Sequence, residues 1–231
     1  MPELMKGYFK GRMEEYNYED VNLENIKPPL PTILSRNDVY FLLYPVGGDE
    51  KIKEALRIVA DFKKSKEKQW LFRESYDYAF VFFYDANKRG VGERVEGIRR
   101  HFSDLLGNIE ALGHNKIITT RVGRIGCFIF SKDGNTGRLE DVILPLMKIG
   151  KENEDIFEDA GLYIEKHFDR SRLKRKDHFD YEKALIGIAG QLQRSGCTNT
   201  VIIQHADYLS EEKIKNDNQC KEICAFFDEF R

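Results

Sequence analysis

The run YAFVFFYD, Tyr78–Asp85, constrains the fold more than any other part of the chain. Seven aromatic or aliphatic residues in a row, closed by a carboxylate, are too short for a buried helix and read as a strand whose two faces are both covered. The residues that follow change period: Val95, Ile98, Phe102, Leu105 and Ile109 recur at helical spacing and form one apolar stripe. A buried strand feeding an amphipathic helix is the opening of a βαβ unit, which needs a parallel sheet with helices on its faces.

The rest of the chain repeats that order. VYFLLYPV (Val39–Val46), closed by Gly47-Gly48, reads as a second buried strand. Asp49 then caps a helix carrying Ile52, Ala55, Leu56, Val59 and Phe62. A short strand near Gly7–Lys10 and a helix from about Met13 precede the stiff connector Lys27-Pro28-Pro29-Leu30-Pro31. Ile117–Val122 and Ile125–Phe130 read as two further strands, and a helix from Leu139 to about Lys148 should be kinked or shortened by Pro145. Helix-like Ala160–Phe168, a helix over Tyr181–Leu192, the apolar run VIIQHADYL and a last helix from Ser210 follow. The expected fold class is α/β, a mostly parallel sheet covered by helices. Residues 1–150 form the α/β core, and residues 151–231 a helical C-terminal part packed on the same unit.

Charge gives no partner by itself. The 37 Lys and Arg nearly cancel the 39 Asp and Glu, so binding to a polyanion must come from a local patch. No stretch holds the roughly 20 apolar residues a membrane span needs, and MPELMKGYFKGR has no apolar run for a signal peptide, so the expected place is a reducing cytoplasm. Cys127, Cys197, Cys220 and Cys224 lack zinc spacing. Cys220 and Cys224 fall on one helix face beside Ile223 and Phe227, a core pattern. The five histidines show no HxxxH or HExxH spacing, and neither GxGxxG nor GxxxxGK[ST] occurs.

In an open parallel sheet, ligands bind at the carboxyl ends of the strands. Asp85 lies at such an end, where it is either a metal-binding acid or a cap for the following loop. If the chain stays extended, Asn87 points to the same side, and an Asp-x-Asn pair is a weaker magnesium site than Asp-x-Asp because an amide oxygen brings no charge. Glu140 and Asp141, after the Gly134-Asn135-Thr136-Gly137 loop, are two more carboxylates at a helix start, where they serve either a metal or the helix dipole. Lys88, Arg89 and Arg94 follow Asp85 closely and either meet phosphates or form a solvated face. The basic run Arg170, Arg172, Lys174, Arg175 and Lys176 is a second candidate phosphate surface, unless it is solvated or pairs with the acidic ENEDIFED before it.

In their order along the chain, these elements resemble the Toprim-like proteins grouped with OLD-type nucleases, and most of all a small stand-alone family among them. Lys10-Gly11-Arg12-Met13-Glu14 takes the place of the family's first motif, VYFLLYPVGGDEKI its second strand and turn, Asp85-Ala86-Asn87 its DxD, and Gly137-Arg138-Leu139-Glu140-Asp141 its fourth element. The resemblance covers the whole chain. It implies a Toprim-like fold and magnesium-dependent chemistry on nucleic-acid phosphodiesters. Asp85, Asn87 and Glu140 or Asp141 would hold the metal, and Lys10 would stand where active enzymes carry a catalytic glutamate.

Two departures bear on activity: Lys10 replaces that glutamate and Asn87 replaces the second aspartate. An ammonium beside the cation would oppose it by roughly 4 kcal/mol at about 4 Å and an effective dielectric near 20. The resemblance with these changes therefore implies a degenerate site that binds phosphodiesters, or a non-catalytic module for a phosphate ligand or a protein.

Overall fold

A computed structural model describes residues 14–15, 31–36, 39–47, 51–68, 77–172 and 179–230. These fall into two compact units. One comprises the described residues of Lys10–Arg138 together with Glu222–Arg231, the other those of Leu139–Lys221. Helix Leu139–Met147, grouped by the sequence reading with the first 150 residues, thus belongs with the later helices. Eight α-helices and six strands are described, and none of the described helices is long and apolar enough to cross a membrane.

The first unit holds two three-stranded sheets. Strands β1 (Glu14–Glu15), β2 (Thr32–Arg36) and β3 (Val39–Leu43) pair antiparallel in that order, with Thr32 opposite Leu43 and Arg36 opposite Val39. Helix α1 (Ile52–Lys68) follows, with Ala55 and Val59 buried. The second sheet has the order β4 (Ala79–Asp85), β6 (Arg124–Phe130), β5 (Lys116–Thr119), in which β4 runs parallel to β6 and β5 antiparallel to it.

The fold is α/β, but "mostly parallel" is corrected: β4 with β6 is the one parallel strand pair among the described residues. Val39–Val46 is not a buried parallel strand beside Tyr78–Asp85. It ends at Leu43 and lies in the antiparallel sheet, with Val39, Tyr40 and Leu42 exposed. An unbroken apolar run carries no alternation, so it cannot show whether one face or two are covered. Glu14–Glu15, placed at the start of a helix from Met13, is strand paired to Ser35 and Leu34. The expected first strand at Gly7–Lys10 and the cap at Asp49 lie outside the described residues.

Central strand β6 organises the core through its alternation. Ile125, Cys127 and Ile129 face helix α2 (Val91–Leu106), which contributes the buried Val95, Ile98, Phe102 and Leu106. Phe82 and Phe102 meet with ring centroids 4.5 Å apart. On the other face, Phe226 packs on Phe128 at 5.8 Å, and a Cβ added at Gly126 would come within 2.8 Å of Phe226 and Phe230. Arg124 fixes that C-terminal segment by donating to the carbonyls of Glu229 and Phe230 at 2.9 and 2.8 Å. Burial pushes the Cys127 thiol up to about 12, so it is a packing group and not a nucleophile.

His114 braces the same sheet: its Nδ1 accepts the Ile129 N–H at 3.0 Å. That bond needs the neutral ring, and burial lowers the His114 pKa from its usual 6.5 despite the opposing charge of Glu222. The unfolded chain therefore takes up this proton more readily than the folded one. Stability is full above about pH 6.5 and declines as pH falls from there toward the lowered folded value. Urea midpoints measured from pH 7 to 5.5 should fall for the wild type, and His114→Gln should flatten that decline.

The second unit is helical. Helices α3 (Leu139–Met147), α4 (Lys151–His167) and α5 (Tyr181–Gly190) are followed by the shorter α6 (Asn199–His205) and α7 (Glu211–Asn216). Pro145 sits inside α3 on its exposed side without ending it. The acidic ENEDIFED, read as a charged stretch before a helix at Ala160, is the first half of α4. Asp180 and Ser210 cap α5 and α7 by accepting from Lys183 N and Lys213 N at 3.1 and 3.2 Å. Tyr208 is fully buried and donates to Ala189 O at 2.8 Å. Gly190 lets Ile202 approach so closely that an added Cβ would stand 2.4 Å from it. The last helix, α8 (Asn218–Asp228), begins in this unit and ends in the first, with Cys220 buried as its spacing predicts.

Candidate phosphate-binding edge

Parallel pairing of β4 and β6 sends both strands out of the sheet at the same edge, Asp85 beside Phe130. Two loops leave there, 86–90 and 131–138, and backbone bonds tie them together. Asn87 N donates to Gly137 O at 2.6 Å, Gly137 N returns a bond to Asn87 O at 3.3 Å, and Val91 N donates to Asn135 O at 2.8 Å. The first loop turns sharply, with Ala86 buried and Gly90 N donating to Ala86 O at 3.1 Å. Gly90 has φ +88 and lies against Asn135, whose Oδ1 would be 2.9 Å from an added Cβ, so only glycine serves there.

Asp133 builds the second loop. Its Oδ1 accepts from Thr136 N at 2.8 Å and Asn135 N at 3.0 Å. These amides hold the Asp133 carboxyl below its ordinary value. The sequence reading singled out the glycines after Asp133 but not Asp133 itself. Its signal was present, since Asp followed by Gly-Asn after a strand is an Asx-turn pattern.

Most residues predicted for the site are among the described ones. Asp85 is half-buried at the end of β4. Asn87 is exposed with φ +51, so the chain does not stay extended past Asp85, and the same-side geometry for an Asp-x-Asn pair does not form. Lys88 and Arg89 are exposed at the tip of the turn, Arg89 lying 3.9 Å from Glu93, and Arg94 is half-buried in the first turn of α2. Lys132, exposed in the second loop, was not anticipated.

Glu140 and Asp141 stand in the first turn of α3, in the second unit. Glu140 is 13 % exposed and pairs with Lys183 of α5 at 3.5 Å. Arg170 is exposed in a 3-10 turn, Arg170–Arg172, of that unit. Lys10, Lys174 and Arg175 lie outside the described residues. Among the described residues no group of three or more His, Cys, Asp or Glu side chains could hold a metal ion. The left-handed backbone at Asn87 removes the same-side Asp85–Asn87 pair that the sequence suggested for magnesium.

The edge itself can do simpler chemistry. Exposed cations at Lys88, Arg89 and Lys132 stand on loops whose backbones are cross-linked, so an anion meets a preformed surface. Compared with family models, with curated proteins and with solved structures, the chain finds no match in any of the three.

Proposed function

We propose that the edge beyond Asp85 binds the phosphodiester backbone of nucleic acid through Lys88, Arg89 and Lys132, and that it does so without a magnesium-dependent step. The observation that carries this reading is the Asn87–Gly137 bridge, which fixes the two loops at the carboxyl ends of the parallel pair. The order of motifs shared with Toprim-like proteins supports it. So does the loss of carboxylates from that order, since Lys10 and Asn87 exchange metal-binding charge for groups that tolerate or attract phosphate.

Reversing charge at Lys88→Glu and Arg89→Glu together should weaken binding of a short single-stranded DNA by about tenfold or more at low salt. If each contacts a phosphate, the slope of log affinity against log salt falls by about 1.4, at roughly 0.7 per single-strand contact. Arg100→Glu, on the exposed side of α2, serves as the control and should change little. Fluorescence anisotropy over a salt series reads both quantities. Equal affinity for wild type and double variant contradicts the reading, as does magnesium-dependent cutting that Asp85→Ala abolishes.

A further inference from the structure

Charge is segregated along helix α4. Five of its six carboxylates precede residue 160, whereas its last turn carries Lys166 and His167. Tyr163, Lys166 and His167 share one side of the helix, within about 100° of one another, and all three are exposed, Tyr163 at 58 %. The rings of Tyr163 and His167 lie 4.7 Å apart, so each limits the rotation of the other.

Phe168 ends the helix with an extended backbone, its N–H donating to Ile164 O at 2.7 Å, and its ring meets that of Phe179 at 4.2 Å. Both phenylalanines stay exposed, at 42 and 37 %, although packed against each other. Arg170 follows in a turn fixed by Asp169, whose Oδ1 accepts from Ser171 N at 2.8 Å and from Ser171 Oγ at 2.7 Å. That carboxylate and Asp180, the cap of α5, are thus engaged with their own neighbours. Among the described residues Lys166 and Arg170 pair with no acid. Asp159, exposed one turn before Tyr163 on the same side, marks where this cationic end stops.

We propose that this end of α4 is a stacking platform for single-stranded nucleic acid. Bases lie against the exposed rings of Phe168, Phe179 and Tyr163, and the phosphates between them meet Lys166 and Arg170. Charge and shape together select the ligand: the cations call for an anion, and the rings call for one with flat apolar faces. A duplex keeps its base faces covered, and an acidic peptide brings charge without them, whereas a single strand satisfies rings and cations at once. The inference shares its ligand class with the loop edge but none of its residues, since the whole platform lies in the second unit.

The test uses the full chain carrying Lys88→Glu and Arg89→Glu, so that the loop edge adds nothing and the two readings fail separately. Fluorescence anisotropy follows labelled oligothymidylate of about eight nucleotides, an abasic strand of the same length and a hairpin duplex. Oligothymidylate should bind at least about fivefold more tightly than either of the others. Phe168→Leu with Phe179→Leu keeps apolar bulk but removes the flat faces. It should abolish that preference and leave the affinity for the abasic strand unchanged, while Phe168→Trp should retain the preference. Tyr163→Leu, at an exposed position, reads the same loss if the leucine pair lowers the melting temperature. Lys166→Gln with Arg170→Gln should weaken both strands and reduce the slope of log affinity against log salt by about 1.4, at roughly 0.7 per contact. Equal affinity for oligothymidylate and the abasic strand overturns the proposal, as does an equal loss for both in the leucine variants. Binding to phosphatidylserine vesicles that the leucine variants abolish, with oligothymidylate unaffected, would overturn it in favour of a membrane surface.

Discussion

Phe102→Ala should cost about 3–5 kcal/mol, the range for deleting a fully enclosed aromatic side chain. Phe102 has no exposed surface and its ring lies 4.5 Å from that of Phe82, so the cavity opens between α2 and the sheet that carries Asp85. For a chain of this length the melting temperature should drop on the order of 10 °C. Hydrogen exchange locates the damage: amides of β4 and β6 should lose protection first, because Ile125, Cys127 and Ile129 pack in the same cluster. Protection that falls only in α5 and α6 would contradict the assignment of this core.

Gly123→Ala is expected to cost about 2–4 kcal/mol by a different route. Gly123 has φ +153, and a Cβ there would stand 2.2 Å from the carbonyl oxygen of Tyr78 and 3.1 Å from its carbon. Both atoms are backbone and cannot rotate aside. The neighbouring Arg124 N–H donates to that same oxygen at 3.1 Å, the bond that begins the β4–β6 ladder. Relief of the clash therefore separates the start of the parallel pair. Gly134→Ala is the control, since Gly134 has φ +78 but nothing within 4 Å, so it should show only the roughly 1 kcal/mol of a left-handed alanine. Equal urea midpoints for the two variants would mean that crowding at Tyr78 plays no part.

These two sites mark how far the chain could be read without coordinates. The β4–α2 unit was legible because its residues change period from unbroken apolar to a spacing of three and four, but the stripe was carried on to Ile109, whereas Gly107, with φ +82, stops α2 after Leu106. Strand β6 was legible as a second short apolar run, Ile125–Phe130. The antiparallel sheet was not, because β2 reads only TILSR and follows a proline connector, and β3 shows no alternation to reveal its exposed residues. Helix α4 was half legible: its first turns are nearly all charged, and their apolar contributions reduce to Ile156 and Phe157 before Ala160.

The candidate site divides in the same way. A carboxylate at a strand end is local information, so Asp85 and the cations after it could be named. What Asn87 does could not, because its left-handed backbone answers to Gly137, fifty residues away. Glu140 shows the converse. Its place at a helix start suits a metal ligand or a dipole partner equally, and only the packing of α5 supplies Lys183.

The most direct measurement of the central claim is a titration of ¹⁵N-labelled protein with a short single-stranded oligonucleotide, followed residue by residue by NMR. Binding at the loop edge predicts that the amides of Asn87, Lys88, Arg89, Lys132 and Asn135 shift together with one affinity, that the shifts shrink as salt rises, and that magnesium adds no cleavage. Shifts confined to the second unit around Arg170, with the two loops unmoved, would contradict it.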